Sequence, residues 1–165
     1  MSGWTVRVEE AGDAPAIARV TAAAFARAAH ASGTEAEVVD KLRASGDLAV
    51  SLVAQAGSII GHVAFSPVRI TDGVRGWFGL GPVSVAPQWQ GRGVGAALVR
   101  AGLARLVGNG AAGCVVLGDP AYYGRFGFRY DPALTFPGPP AAYFQRLVLA
   151  GAAPAGVVSY APDFS

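Results

Sequence analysis

Seven residues, Gln90-Gly91-Arg92-Gly93-Val94-Gly95-Ala96, constrain this chain more than any other stretch. They follow a strand-like apolar run (Leu80, Val83, Val85) and open a run with helical spacing (Leu98, Val99, Leu103, Leu106, Val107). Three glycines on alternate positions at a strand-to-helix junction leave a loop with little side-chain bulk. Its backbone N–H groups can approach a ligand closely, and the helix N-terminus behind them adds partial positive charge. Such a loop suits phosphate oxygens. Arg92 inside it can add a charge-assisted hydrogen bond.

Two kinds of anion loop compete for this segment. As G-x-G-x-x-A, Gly91 to Ala96 passes the dinucleotide fingerprint, and Asp119 ends the next apolar run, where a ribose-binding acid belongs. That loop normally begins where its strand ends, however, and here Pro87-Gln88-Trp89-Gln90 intervene. Too little chain follows Asp119 for the further βα units such a fold needs. No G-x-x-x-x-G-K-[ST] run occurs, which excludes a nucleoside-triphosphate loop. The reading that survives is Q-x-x-G-x-G.

Val83-Ser84-Val85-Ala86-Pro87-Gln88-Trp89-Gln90-Gly91-Arg92-Gly93-Val94-Gly95 resembles the central motif of the GNAT superfamily of N-acetyltransferases. The run from Gly118 to Phe128, GDPAYYGRFGF, is similar to that superfamily's next motif, with Tyr123 four residues before Gly127-Phe128. The wording of both is closest to the bacterial YhbS-like subgroup. The resemblance implies an α/β fold: a central mixed, mostly antiparallel sheet with a splayed parallel pair and helices on both faces. It implies acetyl-CoA as co-substrate, no metal, and an amine-bearing acceptor. Val83, Ser84 and Val85 match the strand that pairs with the pantetheine arm; Gln90, Gly91, Arg92, Gly93, Val94, Gly95 and Ala96 match the pyrophosphate loop. Tyr123 stands at the superfamily's general-acid position. One departure matters: Gly118-Asp119 occupy the stretch where many members carry an asparagine, so that residue's role does not transfer.

The chain's composition agrees with a single domain over residues 1–165. Apolar residues make up 52% and charged ones 15%, which argues against disorder. The net charge is +2, and the basic residues are arginines apart from Lys41, scattered without a patch; nucleic-acid binding is not expected. No apolar run reaches membrane-spanning length, and the N-terminus does not read as a signal peptide, so a cytoplasmic location is expected. Cys114 is the single cysteine, and no His/Cys spacing suggests zinc. The oligomeric state stays open, with a homodimer among the options.

Thr5 to Val8 alternates as a first strand, and Asp13 and Pro15 start a helix running to about Ala28. A second helix covers Glu35 to Arg43 and ends near Gly46. Leu48–Gln55 and Ser58–Ile70 read as strands; Asp72-Gly73 leads by a hairpin into a strand ending at Val85. The loop helix runs from about Gly91 to Val107, then come a buried strand over Cys114–Leu117 and a small helix near Tyr122-Tyr123. A Pro-rich loop precedes two last strands, Phe144–Leu149 and Gly156–Tyr160, expected as a final hairpin. Pro82 lacks an N–H and marks either an imperfectly paired strand or a simple bulge.

Amine acetylation needs a deprotonated amine, a stabilised oxyanion and a donor for the departing thiolate. An ammonium of pKa ~10 is mostly unreactive at neutral pH, so a base or ordered water helps. A backbone N–H at Val85 or its neighbour would serve the oxyanion. Tyr123 would supply the proton, and Tyr122 reads as packing. The base is open among Glu35, Glu37, His62, Asp119 and water; His62 also reads as a hydrogen-bonded structural residue, and Asp119 as the cap of the small helix. Cys114, flanked by valines, reads as an inert buried thiol. Two alternatives stand beside this: a non-catalytic acetyl-CoA-binding domain, and transfer to an alcohol or thiol or of a longer acyl chain. In the superfamily, acceptor sites are built from the region of the first two helices and the last hairpin. Residues 27–37 and 132–146 are therefore where specificity is expected.

Overall fold

A computed structural model of the chain describes residues 3–26 and 33–164. Strand β1 (Thr5–Val8) leads into helices α1 (Ala14–Phe25) and α2 (Glu35–Ser45). Pro15 sits in the first turn of α1 as expected, but the Asp13 carboxylate does not cap it. Instead Asp13 accepts from the Glu10 amide at 2.7 Å and from Arg7 at 2.8 Å, and the Arg7 hydrogen bond holds its carboxyl below the usual range. Helix α2 ends where Gly46 takes φ 83°, a left-handed cap that suits glycine. The expected extension of α1 to Ala28 reaches beyond the described residues.

Strands β2 (Val50–Ala56), β3 (Ser58–Pro67), β4 (Arg69–Ile70) and β5 (Trp77–Val85) follow. After β5 come the loop, helix α3 (Val94–Gly108), strand β6 (Gly113–Leu117) and the short helix α4 (Pro120–Tyr123). Strands β7 (Arg129–Tyr130), β8 (Leu134–Thr135), β9 (Phe144–Val148) and β10 (Gly156–Ser159) complete the chain. The main sheet has the order β1-β2-β3-β5-β6-β9-β7, and every pairing in it is antiparallel except β5–β6.

Alternation along β3 assigns the two faces. Gly61 and Phe65 look toward α3: a Cβ on Gly61 would meet Leu98 and Val94, and Phe65 fills the space above Gly102. His62 points the other way. It pairs with Val53, which packs with Ile17 of α1 and Val39 of α2. Helices therefore cover both faces, and the largest apolar cluster lies under α3 with Leu98, Val99 and Leu106. No described helix is long and apolar enough to cross a membrane.

The expected final hairpin does not form. Both edges of β9 are taken, one by β6 and one by β7, so β10 has no place beside it. β10 instead pairs antiparallel with β4 and parallel with β8 in a separate three-stranded sheet. Helix α3 also begins three residues later than expected, because Gly91 (φ 76°) and Gly93 (φ 86°) hold left-handed conformations that a helix cannot contain.

Candidate active site

The site is organised by a gap in the main sheet. β5 and β6 run parallel in register only over Trp77–Gly79 against Gly113–Val115. Beyond Gly79, β5 keeps its pairing with β3 and loses β6. A one-residue bulge falls at the same place: Phe65 pairs with Leu80 but Val63 pairs with Val83, leaving Gly81 and Pro82 without ladder partners. The bulge bends β5 away where the strands part, and Pro82 has no amide to donate. The Ala86 amide bonds Ile60 on the β3 side at 2.8 Å. By alternation Ser84 also faces β3, while Val83 and Val85 turn their backbone groups toward the gap. The Val85 carbonyl there accepts from Gln90 Nε2 at 3.1 Å, which ties the loop back to the strand.

A cavity opens at each end of this free edge. One, of about 310 Å³, is lined by Val85, Gln90, Gly91, Gly93, Val94, Gly95 and Ala96, together with Trp89, Tyr122 and Arg125. Added Cβ atoms at Gly91 and Gly93 would meet no protein atom, so both glycines leave open space above the loop amides. These amides and the first turn of α3 make a cradle that fits phosphate oxygens. The second cavity, about 670 Å³, lies at Leu80, Gly81 and Pro82 of β5 and Leu117 of β6. Phe25, Glu35, Phe136, Tyr160 and Phe164 are among its other walls.

Helix α4 follows β6 directly and carries the Tyr122 hydroxyl to the first turn of α3, 3.4 Å from where a Cβ on Gly95 would sit. Asp119 begins it, accepting the Ala121 amide at 2.9 Å as the cap reading expects. Tyr122 faces the loop cavity, whereas the half-buried Tyr123 ring lies against Gly118 at the end of β6 and makes edge contact with Phe128. Burial, with smaller contributions from Tyr122 and Cys114, pushes the Tyr123 hydroxyl up to about 12, so it stays protonated at neutral pH.

A family model for the acetyltransferase (GNAT) domain matches residues 47–130, the span from β2 through α4 to β7. The chain belongs to the GNAT family of acetyltransferases. As a GNAT member it is an acyltransferase. It is 40% identical over 144 residues to the uncharacterized N-acetyltransferase YhbS of Escherichia coli K12, covering 84% of this chain and 83% of YhbS. A GNAT family acetyltransferase of Brucella melitensis, solved in complex with acetyl-CoA, superposes with a TM-score of 0.88 at 47% identity, covering 98% of each chain. Escherichia coli YhbS in complex with CoA gives a TM-score of 0.87 at 37% identity, covering 98% of this chain and 91% of YhbS.

Within this GNAT site, the expected loop residues converge, with one exception. Arg92 is not among the residues lining the loop cavity; its guanidinium lies 5.0 Å from the centre of the Trp89 ring. Among the described residues the cation lining the cavity is Arg125, which donates from Nε to the Tyr122 carbonyl at 2.9 Å and stacks 4.3 Å over the Tyr122 ring. Arg125 was readable only as part of the second motif, three residues after Tyr122. Nothing local says that α4 folds it over the loop. Tyr122, read as packing, also lines that cavity.

The candidate bases separate cleanly. Glu35 lines the large cavity, and Glu37 is exposed outside it. His62 is fully buried on the α1 face, and its Nε2 lies 2.8 Å from Ser51 Oγ, which donates to Glu9 at 2.7 Å. Arg43 in turn bonds Glu9 at 2.7 Å and holds its carboxyl below the usual range. Burial lowers the His62 pKa to about 4, so the ring is neutral at physiological pH. Cys114 is fully buried and burial pushes its thiol up, as an inert thiol requires.

Proposed function

We propose that this GNAT acyltransferase moves an acetyl group from acetyl-CoA to a primary amine by direct attack in a ternary complex. The observation that carries this reading is the free edge of β5, with a phosphate cradle at one end and a separate cavity at the other. Five residue steps separate Leu80 from Val85, about 16 Å of extended chain. The complexes of the Brucella melitensis acetyltransferase with acetyl-CoA and of YhbS with CoA support the same assignment.

Acetyl-CoA, when bound, supplies an activated acetyl thioester. The amides of Gly91 to Ala96 and the Arg125 guanidinium would hold its phosphates, and Val83 and Val85 would pair with its arm. Glu35, on the wall of the second cavity, would take the proton that frees the amine for attack. The Val83 amide, nearer that cavity than Val85, would donate to the oxygen where negative charge gathers. As the C–S bond breaks and the C–N bond forms, Tyr123 would give its hydroxyl proton to the leaving sulfur, and the second proton shed by the nitrogen as it becomes an amide would restore the Tyr123 hydroxyl through solvent.

Mixing the protein with acetyl-CoA and a panel of amines should release free coenzyme A and an amine heavier by one acetyl group, read by thiol titration and mass spectrometry. Firm acetyl-CoA binding with no acetylated product from any amine would overturn the transfer reading.

A further inference from the structure

We infer that Gln145 is the residue that positions Tyr123 for proton donation, acting through the carbonyl of Gly118. This rests on the transfer reading above, since it assigns a further residue to that same site. Gln145 lies in β9 opposite Val116 of β6, and residues opposite one another in a ladder share a face. Val116 and Phe128 belong to the apolar cluster under α3, and the Tyr123 ring packs against that cluster. Gln145 is 1% exposed, and an amide buried in such a place is costly unless it is hydrogen-bonded. Its Nε2 donates to the Gly118 carbonyl at 3.1 Å.

The ladder itself leaves that carbonyl open. β6 and β9 pair through Leu117 and Phe144, and one step further the Gly118 amide still donates to the Tyr143 carbonyl at 2.9 Å. The Tyr143 amide, which would return the bond, donates instead to the Pro140 carbonyl at 3.0 Å, inside the turn that precedes β9. The side chain of Gln145 therefore takes the place of the last backbone donor and holds β6 to β9 as far as Gly118.

Gly118 is also where the donor sits. The Tyr123 ring fills the space a Cβ on Gly118 would need, and α4 departs from the next residue, with Asp119 as its cap. The Tyr123 amide donates to the Asp119 carbonyl at 3.0 Å. A rotation of the Gly118–Asp119 peptide thus moves the floor under the ring and the start of its helix together. Gln145 opposes that rotation by fixing the peptide's oxygen. It is absent from the described residues that line either cavity, so it acts through Tyr123 and not on a substrate.

The test pairs Gln145→Met, which keeps the side chain's length without its amide, with Val115→Ala, which opens a hole on the opposite face of β6. Coenzyme A release from acetyl-CoA is followed with hydroxylamine, a small amine that is largely uncharged at neutral pH. Gln145→Met should lose about tenfold or more in kcat, with the calorimetric Kd for acetyl-CoA changed less than about twofold. Val115→Ala should keep kcat within about twofold although its cavity also costs stability. In a Tyr123→Phe background Gln145→Met should cost no further kcat, because the two residues act as one unit. In Gln145→Glu the buried carboxyl stays protonated to higher pH than usual, and in that form it can donate to Gly118. Its kcat relative to wild type should recover as pH falls, whereas that of Gln145→Met should not. This pH profile decides the matter if Gln145→Met does not fold. Equal losses in Gln145→Met and Val115→Ala, or an undiminished loss in the Tyr123→Phe background, would overturn the inference and keep the transfer reading. Wild-type kcat in Tyr123→Phe would overturn the proton-donor reading, and the inference with it. If hydroxylamine is not acetylated, the carbon-13 ring signal of Tyr123 in the CoA-saturated protein decides. A shift with Gln145→Met and none with Val115→Ala supports the inference, and the reverse overturns it.

Discussion

The ring of Tyr123 occupies the space that a side chain on Gly118 would need: an added Cβ would overlap Cε2 and lie 3.0 Å from Cδ2. Gly118, whose missing side chain leaves this space, therefore seats the proposed proton donor at the end of β6. Gly118→Ala should push the ring away without touching the phosphate cradle. Turnover should fall at least tenfold while acetyl-CoA affinity changes less than about twofold. The overpacking should also cost about 1–3 kcal/mol of stability, read by urea unfolding.

The glycine loop is best tested at Gly95. At Gly93, φ is 86°, so any side chain there strains the backbone before it meets a ligand. At Gly95 an added Cβ would make ordinary contacts, 3.4 Å to the Tyr122 hydroxyl and 3.5 Å to Val85. Gly95→Val should fold and weaken acetyl-CoA binding more than tenfold, about 1.4 kcal/mol. Calorimetry is the measurement.

The two arginines near the loop should behave differently. Arg125→Gln removes the cation that lines the cavity and should weaken acetyl-CoA binding about tenfold, the scale of a charge-assisted hydrogen bond. It should also flatten the dependence of affinity on salt. Arg92→Gln, which loses only the stack on Trp89, should change affinity less than about threefold.

What could be read along the chain was what neighbouring residues decide. The strand, the loop and α3 announce themselves because left-handed glycines and helical spacing are local signals, as is the Asp119 cap of α4. Partner choice is not local. β10 carries a clear strand pattern, yet its place beside β4 and β8 depends on both edges of β9 being filled. The same limit hid the site's other contributors. Arg125 reaches the loop cavity stacked on the Tyr122 ring of α4, and Tyr160 and Phe164 reach the second cavity only through the separate small sheet and the turn after it. Of the stretch 27–37 expected to shape acceptor choice, residues 27–32 lie outside the described residues, whereas Glu35 lines the cavity. From 132–146, Phe136 does the same.

Buried His62 gives stability a pH dependence of definite sign. Burial holds its pKa at about 4 in the fold against the ordinary 6.5 of a histidine, so the unfolded chain binds the proton more readily between those values. Stability is therefore flat above pH 6.5 and falls as pH drops through that window. Glu9, held low by Arg43, adds acid sensitivity only below its ordinary 4.5. Between pH 7 and pH 5 the wild type should lose about 2 kcal/mol through His62 alone, and His62→Gln should lose correspondingly less. Urea unfolding across that range, compared between the two proteins, reads the difference.

Tyr123→Phe tests the proposed transfer most directly, because it removes one hydroxyl and keeps the ring against Gly118 and Phe128. The measurement is kcat for coenzyme A release with whichever amine the wild type acetylates, alongside the calorimetric Kd for acetyl-CoA. If the hydroxyl protonates the leaving sulfur, kcat should fall about a hundredfold or more with Kd unchanged. Equal kcat in the wild type and Tyr123→Phe would contradict the assignment and remove Tyr123 from the mechanism.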